Sequence, residues 1–178
     1  MVSCEPGQDR NVAALNIESM CNGFIYNMKS PEYYMSLALI EAEKAALEDE
    51  VPVGAVVVCN DKVIAKAHNQ RDHKNLTHAH AEMLAIIKAN KKLESWRMPE
   101  CDIYITLEPC IMCMGAIIQS RIRKVYYGAK DPKGGAVISS INILEAKNIN
   151  HHPEVEGGIL EEECSKIISN YFKEKRKK

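Results

Sequence analysis

The run Ala55–Cys59 is apolar at every position and contains three consecutive valines. A continuous run of this kind is typical of a strand that is buried on both faces. Asn60-Asp61 then predicts a tight turn, and Val63–Ala67 predicts a second strand beside the first. Because such a sheet must be covered on both sides, we expect a three-layer α/β/α domain with a central mixed sheet of about five strands.

The rest of the chain alternates between predicted helices and strands. Ser30-Pro31 predicts the start of a first helix, with serine as the N-cap and proline at the first helical position. Pro153 makes the last strand a poor central strand, so we place it at an edge. The other predicted elements are helices at Ala79–Lys92, Cys110–Ser120 and Ile159–Lys175, strands at Asp102–Thr106 and Lys124–Gly128, a short helix or turn at Ile138–Leu144, and the edge strand His152–Glu156.

Apolar residues at helical spacing predict which face of each helix is buried. In the first helix the predicted apolar stripe is Tyr33, Leu37, Ile40 and Leu47. In the helix at Ala79–Lys92 the residues expected to point inward are Met83, Leu84, Ile86 and Ile87.

Composition and length describe one ordinary globular domain. The chain has 178 residues, of which 46% are hydrophobic and 26% charged. We interpret residues 1–29 as a loosely ordered leader before a single domain at residues 30–178, and we hypothesise that the true initiator is Met28 or Met20. No apolar run approaches the roughly 18 residues of a membrane span. The seven cysteines, an odd number without a secretory signal, favour a reduced, cytoplasmic compartment.

Two short motifs carry the chemistry. His80-Ala81-Glu82 and Pro109-Cys110-x-x-Cys113 each fall where a loop or strand becomes a predicted helix. Two helix N-termini at one point bring positive charge, which stabilises thiolates. One imidazole and two thiolates make three zinc ligands and leave the fourth position open for water, while Glu82 would move the proton. The pattern is typical of zinc-dependent nucleobase deaminases.

Two other interpretations of these motifs are open at this point. A fourth protein ligand, from Cys101, His78 or His73, would close the site and make the zinc structural. A thioredoxin-like redox pair would use Cys-x-x-Cys alone, but it leaves the histidine and the glutamate without roles.

From about Met28 to Lys175 the sequence resembles the bacterial tRNA-specific adenosine deaminase family. Deaminases of cytidine, guanine and riboflavin precursors share the zinc motifs but not the full set of matching segments. Those segments are Val51–Val56, Ala79–Glu82, Thr106–Cys113, Ser120–Ile122, Tyr127–Asp131, Gly158–Leu160, Glu163-Cys164 and Tyr171-Phe172.

The resemblance implies a cytidine-deaminase-like fold, a homodimer, and conversion of adenosine to inosine at the wobble position of a tRNA anticodon. It implies one zinc ion per subunit, held by His80, Cys110 and Cys113, with Glu82 as the catalytic proton shuttle. The deaminase domain would span residues 30–178.

The resemblance also implies four substrate-binding residues, namely Asn69, Ala81, Asp131 and Phe172. Asn69 would hydrogen-bond the flipped base, Asp131 would lie near the 2′-hydroxyl of a neighbouring nucleotide, and Phe172 would lie near the anticodon loop. Each side chain has a plainer interpretation: Asn69 as a turn residue, Asp131 as a turn start, and Phe172 as part of the core.

Charge is distributed unevenly. The 23 basic and 24 acidic residues nearly cancel, which excludes a uniformly basic coat. Acidic residues gather at residues 41–50 and 161–163. We interpret the basic residues as a strip for the phosphates of an anticodon stem-loop. They are Arg121, Arg123, Lys124, Lys130, Lys133 and the tail Lys173–Lys178.

Two other functions compete with this one. A free-base or nucleoside deaminase acting on guanine or cytosine would not need the basic strip. A catalytically silent RNA-binding subunit would not need Glu82.

Overall fold

The computed structural model describes residues 29–177. The predicted leader up to residue 28, with the hypothetical initiators Met20 and Met28, lies outside the described residues. Within the described part, no helix is long and apolar enough to cross a membrane. The elements are, in chain order, α1 (Pro31–Leu47), β1 (Gly54–Cys59), β2 (Lys62–His68), α2 (Arg71–Lys74), α3 (Ala81–Leu93), β3 (Cys101–Leu107), α4 (Ile111–Gln119), β4 (Lys124–Ala129), a 3-10 turn (Ile143–Glu145), β5 (Glu154–Gly157) and α5 (Glu161–Lys175).

The five strands form one mixed sheet in the order β2-β1-β3-β4-β5. β1 is antiparallel to both β2 and β3, whereas β3, β4 and β5 run parallel. Asn60 and Asp61 both have positive φ, at 48° and 59°, which suits the right-handed twist of a two-residue hairpin. The predicted mixed sheet, the hairpin and the edge position of the fifth strand are confirmed.

Helices cover both faces of the sheet. Ala55 and Val57 of β1 pack with α3 and α4, and the alternate residues Val56 and Val58 pack with α1 and α5. The predicted three-layer α/β/α architecture is therefore confirmed. A Cβ atom at Gly54 would collide with the main chain of α1, so the absence of a side chain lets this helix lie directly on β1.

The buried faces of α1 and α3 differ in part from the sequence prediction: Ile86 is buried, and Leu37 and Leu84 pack against the core, as predicted. Tyr33, Ile40 and Leu47 of α1 are exposed, and Ile87 of α3 is exposed as well. Alanine residues, which permit close approach to the sheet, occupy about half of the buried positions instead. The buried residues of α1 are Tyr34, Met35, Ala38, Glu41, Ala42 and Ala45, and those of α3 are Ala81, Glu82, Ala85, Ile86 and Ala89.

Candidate metal centre and active-site pocket

Two helices begin at the same point, beside the carboxyl end of β3. His80 is the N-cap of α3, Cys110 is the N-cap of α4, and Cys113 lies buried in the first turn of α4. His80 Nδ1 is 3.8 Å from Cys110 Sγ and 3.6 Å from Cys113 Sγ. Tetrahedral zinc with its usual bond lengths separates its ligand atoms by about 3.5–3.8 Å, so the three donors fit a zinc ion.

The charges of these donors also fit a cation. Hydrogen bonds from Cys113 and His80 lower the pKa of the Cys110 thiol to about 4. The hydrogen bond to Cys110, together with burial, raises the pKa of the Cys113 thiol, and the negative charge of Cys110 adds a smaller repulsion in the same direction. A divalent cation between the two sulfurs removes this repulsion and lets both ionise.

The cluster contains three donors, which leaves an open position. Within residues 29–177, His80, Cys110 and Cys113 are the group of metal-ligating side chains whose donor atoms come within 4.8 Å of one another. His73 and His78 are exposed, and Cys101 lies at the opposite end of β3. The arrangement therefore does not support the closed structural site.

Glu82 shares the pocket with the cluster. It lies in the first turn of α3 and is 4% exposed. On a regular helix, side chains two positions apart project about 200° apart around the helix axis. His80 and Glu82 nevertheless both line the pocket, because the pocket lies at the N-terminal end of α3. Burial raises the pKa of the Glu82 carboxyl above its ordinary value of 4.5. A raised carboxyl pKa suits a group that must both accept and release a proton near neutrality.

The pocket is small, with a volume of about 210 Å³, below the roughly 300 Å³ at which sites for drug-sized ligands begin. Asn69 and Asp131 line it beside Glu82, so five of the eight predicted site residues reach this pocket. The side chain of Ala81 does not, because it is buried in the core. The lining residues are Val51, Val53, Asn69, Arg71, His80, Glu82, Leu107, Glu108, Cys110 and Asp131.

Glu108 is a pocket residue to which the sequence analysis assigned no role. It is 2% exposed, and its carboxylate accepts hydrogen bonds from the main-chain N–H groups of Asp131 (3.1 Å), Val137 (3.1 Å), Ile138 (2.8 Å) and Ser139 (3.0 Å). Burial acts to raise the pKa of Glu108, but these bonds outweigh it and hold the pKa below its ordinary value. Glu108 thereby fastens the segment that carries Asp131. The feature of the sequence that could have identified Glu108 is its position between an apolar strand and the Pro109-Cys110 pair.

Glu50 was missed in the same way, since the sequence analysis counted it among the acidic residues away from the site. It is 2% exposed and accepts hydrogen bonds from Asn69 Nδ2 at 3.0 Å and from the main-chain N–H of His73 at 2.7 Å. Asn69 is therefore a buried, tethered side chain and not a turn residue. The signal for Glu50 was its position directly before the apolar segment Val51–Val53.

Phe172 lies in a groove that continues from the pocket. It is 44% exposed, so it is not a core residue. The groove has a volume of about 760 Å³, and Val51, Leu107 and Asp131 line both groove and pocket. Its other lining residues include Lys130, Lys133, Lys173, Lys175 and Arg176. We call this surface the basic groove.

The predicted basic strip is divided between two ends of β4. Lys130 and Lys133 follow the strand and line the basic groove, whereas Arg121 and Arg123 precede it and line a separate cleft. Arg123 is also paired with Asp102, at 2.9 and 2.7 Å. These four residues are close in the sequence but do not share one surface, because the extended strand β4 separates the two pairs by about 17 Å.

Residues 29–176 match the MafB19-like deaminase family, so the chain belongs to this family of deaminases. Among its curated relatives, the tRNA-specific adenosine deaminase of Bacillus subtilis is 49% identical over 151 residues, which cover 85% of this chain and 94% of that protein. The tRNA-specific adenosine deaminase of Agrobacterium fabrum is 45% identical over 149 residues, covering 84% and 98% of the two chains.

Solved structures of deaminases are similar to this chain as well. A structure from work on A-to-I editing by tRNA:A34 deaminases at the wobble position of transfer RNA matches with a TM-score of 0.74 and 46% identity, covering 76% of this chain and 98% of that one. A guanine deaminase from Bacillus subtilis matches with a TM-score of 0.55 and 35% identity, covering 57% and 66%.

Proposed function

We propose that this chain is a hydrolase that converts adenosine to inosine at the wobble position of a tRNA anticodon. The observation that carries the proposal is the junction of two surfaces. A base-sized pocket beside the His80–Cys110–Cys113 cluster opens into the basic groove, and Asp131 lines both. The similarity to tRNA-specific adenosine deaminases supports the same substrate.

His80, Cys110 and Cys113 would hold one zinc ion per chain. When bound, zinc supplies a nucleophilic hydroxide at neutral pH, because it lowers the pKa of water to about 7. Glu82 would accept protons from the attacking water and pass them to the base ring and to the departing amino group, so that an oxygen atom replaces the amino nitrogen on the base carbon and the nitrogen leaves as ammonia. The burial of Glu82 keeps bulk water from competing for that proton.

The positions of these residues support the substrate roles that the resemblance implies. Asn69 hydrogen-bonds the flipped base, and Ala81 contributes its main-chain N–H at the start of α3, because its methyl group is in the core. Asp131, between pocket and groove, accepts from the 2′-hydroxyl of the neighbouring nucleotide. Phe172 stacks on a base of the anticodon loop, and Lys130 and other groove lysines contact phosphates.

The assembly is proposed to be a cytoplasmic homodimer, with the deaminase domain at residues 30–178 after the leader. Ile111 and Ile138 are exposed, at 57% and 58%, and they follow the paired residues Cys110 and Gly135 by one and three positions. This apolar surface suits a subunit contact. Sedimentation equilibrium of the native chain and of Ile138→Asp tests it, with a dimer expected for the first and a monomer for the second.

The deciding experiment measures inosine formation on an anticodon stem-loop with adenosine at the wobble position, in parallel with free guanine, cytosine and adenosine. We expect inosine in the stem-loop, loss of turnover in Glu82→Ala with zinc retained, and normal turnover in Glu162→Ala, which changes an exposed glutamate. Ammonia released only from a free base would make the chain a small-substrate deaminase. Stem-loop binding with no turnover by the native chain would make it a silent RNA-binding subunit.

A further inference from the structure

Glu50 joins two connections that form one wall of the pocket. It lies between α1 and β1, and its main-chain N–H donates to Ala45 O at 2.9 Å. Its carboxylate reaches the connection after β2, where Oε1 accepts from the N–H of His73 and Oε2 from Nδ2 of Asn69. The carboxylate is therefore committed to two N–H groups, one of which belongs to a pocket side chain.

The contact with Asn69 determines which end of its amide is free. An ionised carboxylate only accepts hydrogen bonds, so the amide nitrogen must face Glu50. Among residues 29–177, no buried side-chain nitrogen or oxygen lacks a partner, and Oδ1 of Asn69 makes no hydrogen bond to the described chain. This oxygen therefore reaches open space, and Asn69 lines the pocket.

We infer that Glu50 is a positioning residue that sets the polarity of substrate recognition. It holds Asn69 so that the pocket presents the amide oxygen, which accepts a hydrogen bond from a donor group of the bound nucleotide. The inference rests on the proposed function and adds a specificity element to the same site.

The test is Glu50→Gln, alone and in an Asn69→Ala background. The new side chain has one acceptor oxygen where the carboxylate has two. The main-chain N–H of His73 can only donate, so the glutamine oxygen continues to accept from it. The amide nitrogen of the glutamine then faces Asn69. Asn69 must rotate its side-chain amide by about 180° so that its oxygen accepts a hydrogen bond from that nitrogen. The NH2 group of Asn69 then faces the pocket in place of the oxygen.

We expect kcat/KM on the adenosine stem-loop to fall about 10- to 100-fold in Glu50→Gln, because one hydrogen bond to the nucleotide is removed and a polar group is mispaired. In the Asn69→Ala background the same change alters kcat/KM by less than about 2-fold, since no amide remains to be oriented. Asp102→Asn is the matched control, because it removes a partly buried carboxylate at the far end of β3. An equal loss in both backgrounds would overturn the inference.

A readout without substrate separates this inference from the proposed function. The Asn69 side-chain amide protons, identified by NMR through their absence in Asn69→Ala, are expected to exchange slowly with water in the native chain and rapidly in Glu50→Gln. Unchanged exchange overturns the inference, whereas a native chain that deaminates no purine overturns the proposed function alone. If Glu50→Gln does not fold, Glu50→Asp, which withdraws the carboxylate by one methylene group, is compared in the same two backgrounds with the same expectation.

Discussion

Gly135 lies directly against the buried carboxylate of Glu108, where a Cβ atom would overlap the carboxylate carbon and Oε2. Gly135 also donates its main-chain N–H to Asp131 O at 2.9 Å, and Asp131 donates its own N–H to Glu108 at 3.1 Å. The close approach of a glycine to a carboxylate thus decides where the Asp131 wall of the pocket lies.

Gly135→Ala is expected to displace this wall. The added methyl group forces Glu108 or the 131–139 segment to move, which should lower the free energy of unfolding by about 1–3 kcal/mol and reduce kcat/KM on the stem-loop. Urea denaturation and initial rates measure the two effects. Gly115→Ala is the control, because a Cβ there meets no atom within 4 Å and alanine favours a helix by up to about 1 kcal/mol. Equal stability of the two variants would contradict the role of Gly135.

Cys113→Ser is expected to abolish zinc binding and to lower stability. Ligand binding at about 100 times its Kd stabilises the folded state by about 2.7 kcal/mol, and the variant should lose that contribution. Metal analysis and thermal unfolding with and without a chelator provide the measurement. Cys164→Ser replaces another fully buried thiol, outside the cluster. It should lose some stability but keep its zinc, and zinc retained by Cys113→Ser would refute the proposed ligand set.

Lys130→Ala with Lys133→Ala is expected to weaken stem-loop binding without changing the pocket. Removal of two lysine–phosphate ion pairs should flatten the slope of log K against log salt by about 1.4, which is about 0.7 for each pair. Binding titrations from low to physiological salt measure the slope. Arg97→Ala with Arg121→Ala removes two charges at the other end of the sheet and should leave the slope unchanged. The same slope for native chain and Lys130/Lys133 variant would show that the basic groove does not contact RNA.

Glu41 is expected to make stability depend on acid pH. Burial acts to raise its pKa, but hydrogen bonds from Lys44 and His68 outweigh burial and hold the pKa below the ordinary 4.5. The ionised form therefore stabilises the fold above pH 4.5, and this contribution disappears as the pH falls through the folded-state pKa. Glu41→Gln should be less stable than the native chain by about 1 kcal/mol at pH 7.

Denaturation of the native chain and Glu41→Gln from pH 7 to pH 3 measures this difference. The difference should shrink below pH 4.5, while acid effects on the metal ligands are common to both proteins and cancel. Glu43→Gln, on the exposed side of the same helix, should differ from the native chain by a small and constant amount. A difference for Glu41→Gln that persists at pH 3 would contradict the assigned contacts.

Much of the fold was predictable because the deciding signals are local. The valine run of β1, the Asn60-Asp61 turn and the Ser30-Pro31 helix start each express their structure within a few residues. The buried face of α1 was predicted wrongly, since the helix carries two sets of apolar residues at helical spacing and either set could face the sheet. Ala38 lies on the buried stripe because Gly54, distant in sequence, leaves room for the helix against β1.

The zinc ligand candidates and Glu82 could be identified without a structure, because their spacing and their positions at helix starts follow from nearby residues. Only the tertiary structure decided that Glu50 holds Asn69 and that Glu108 holds the Asp131 segment. It also decided that Lys130 lines the basic groove while Arg123 lines a separate cleft. The physical reason is the same in each case: a buried carboxylate or a surface charge acts through groups that are distant in the chain, and only folding brings them within hydrogen-bond distance.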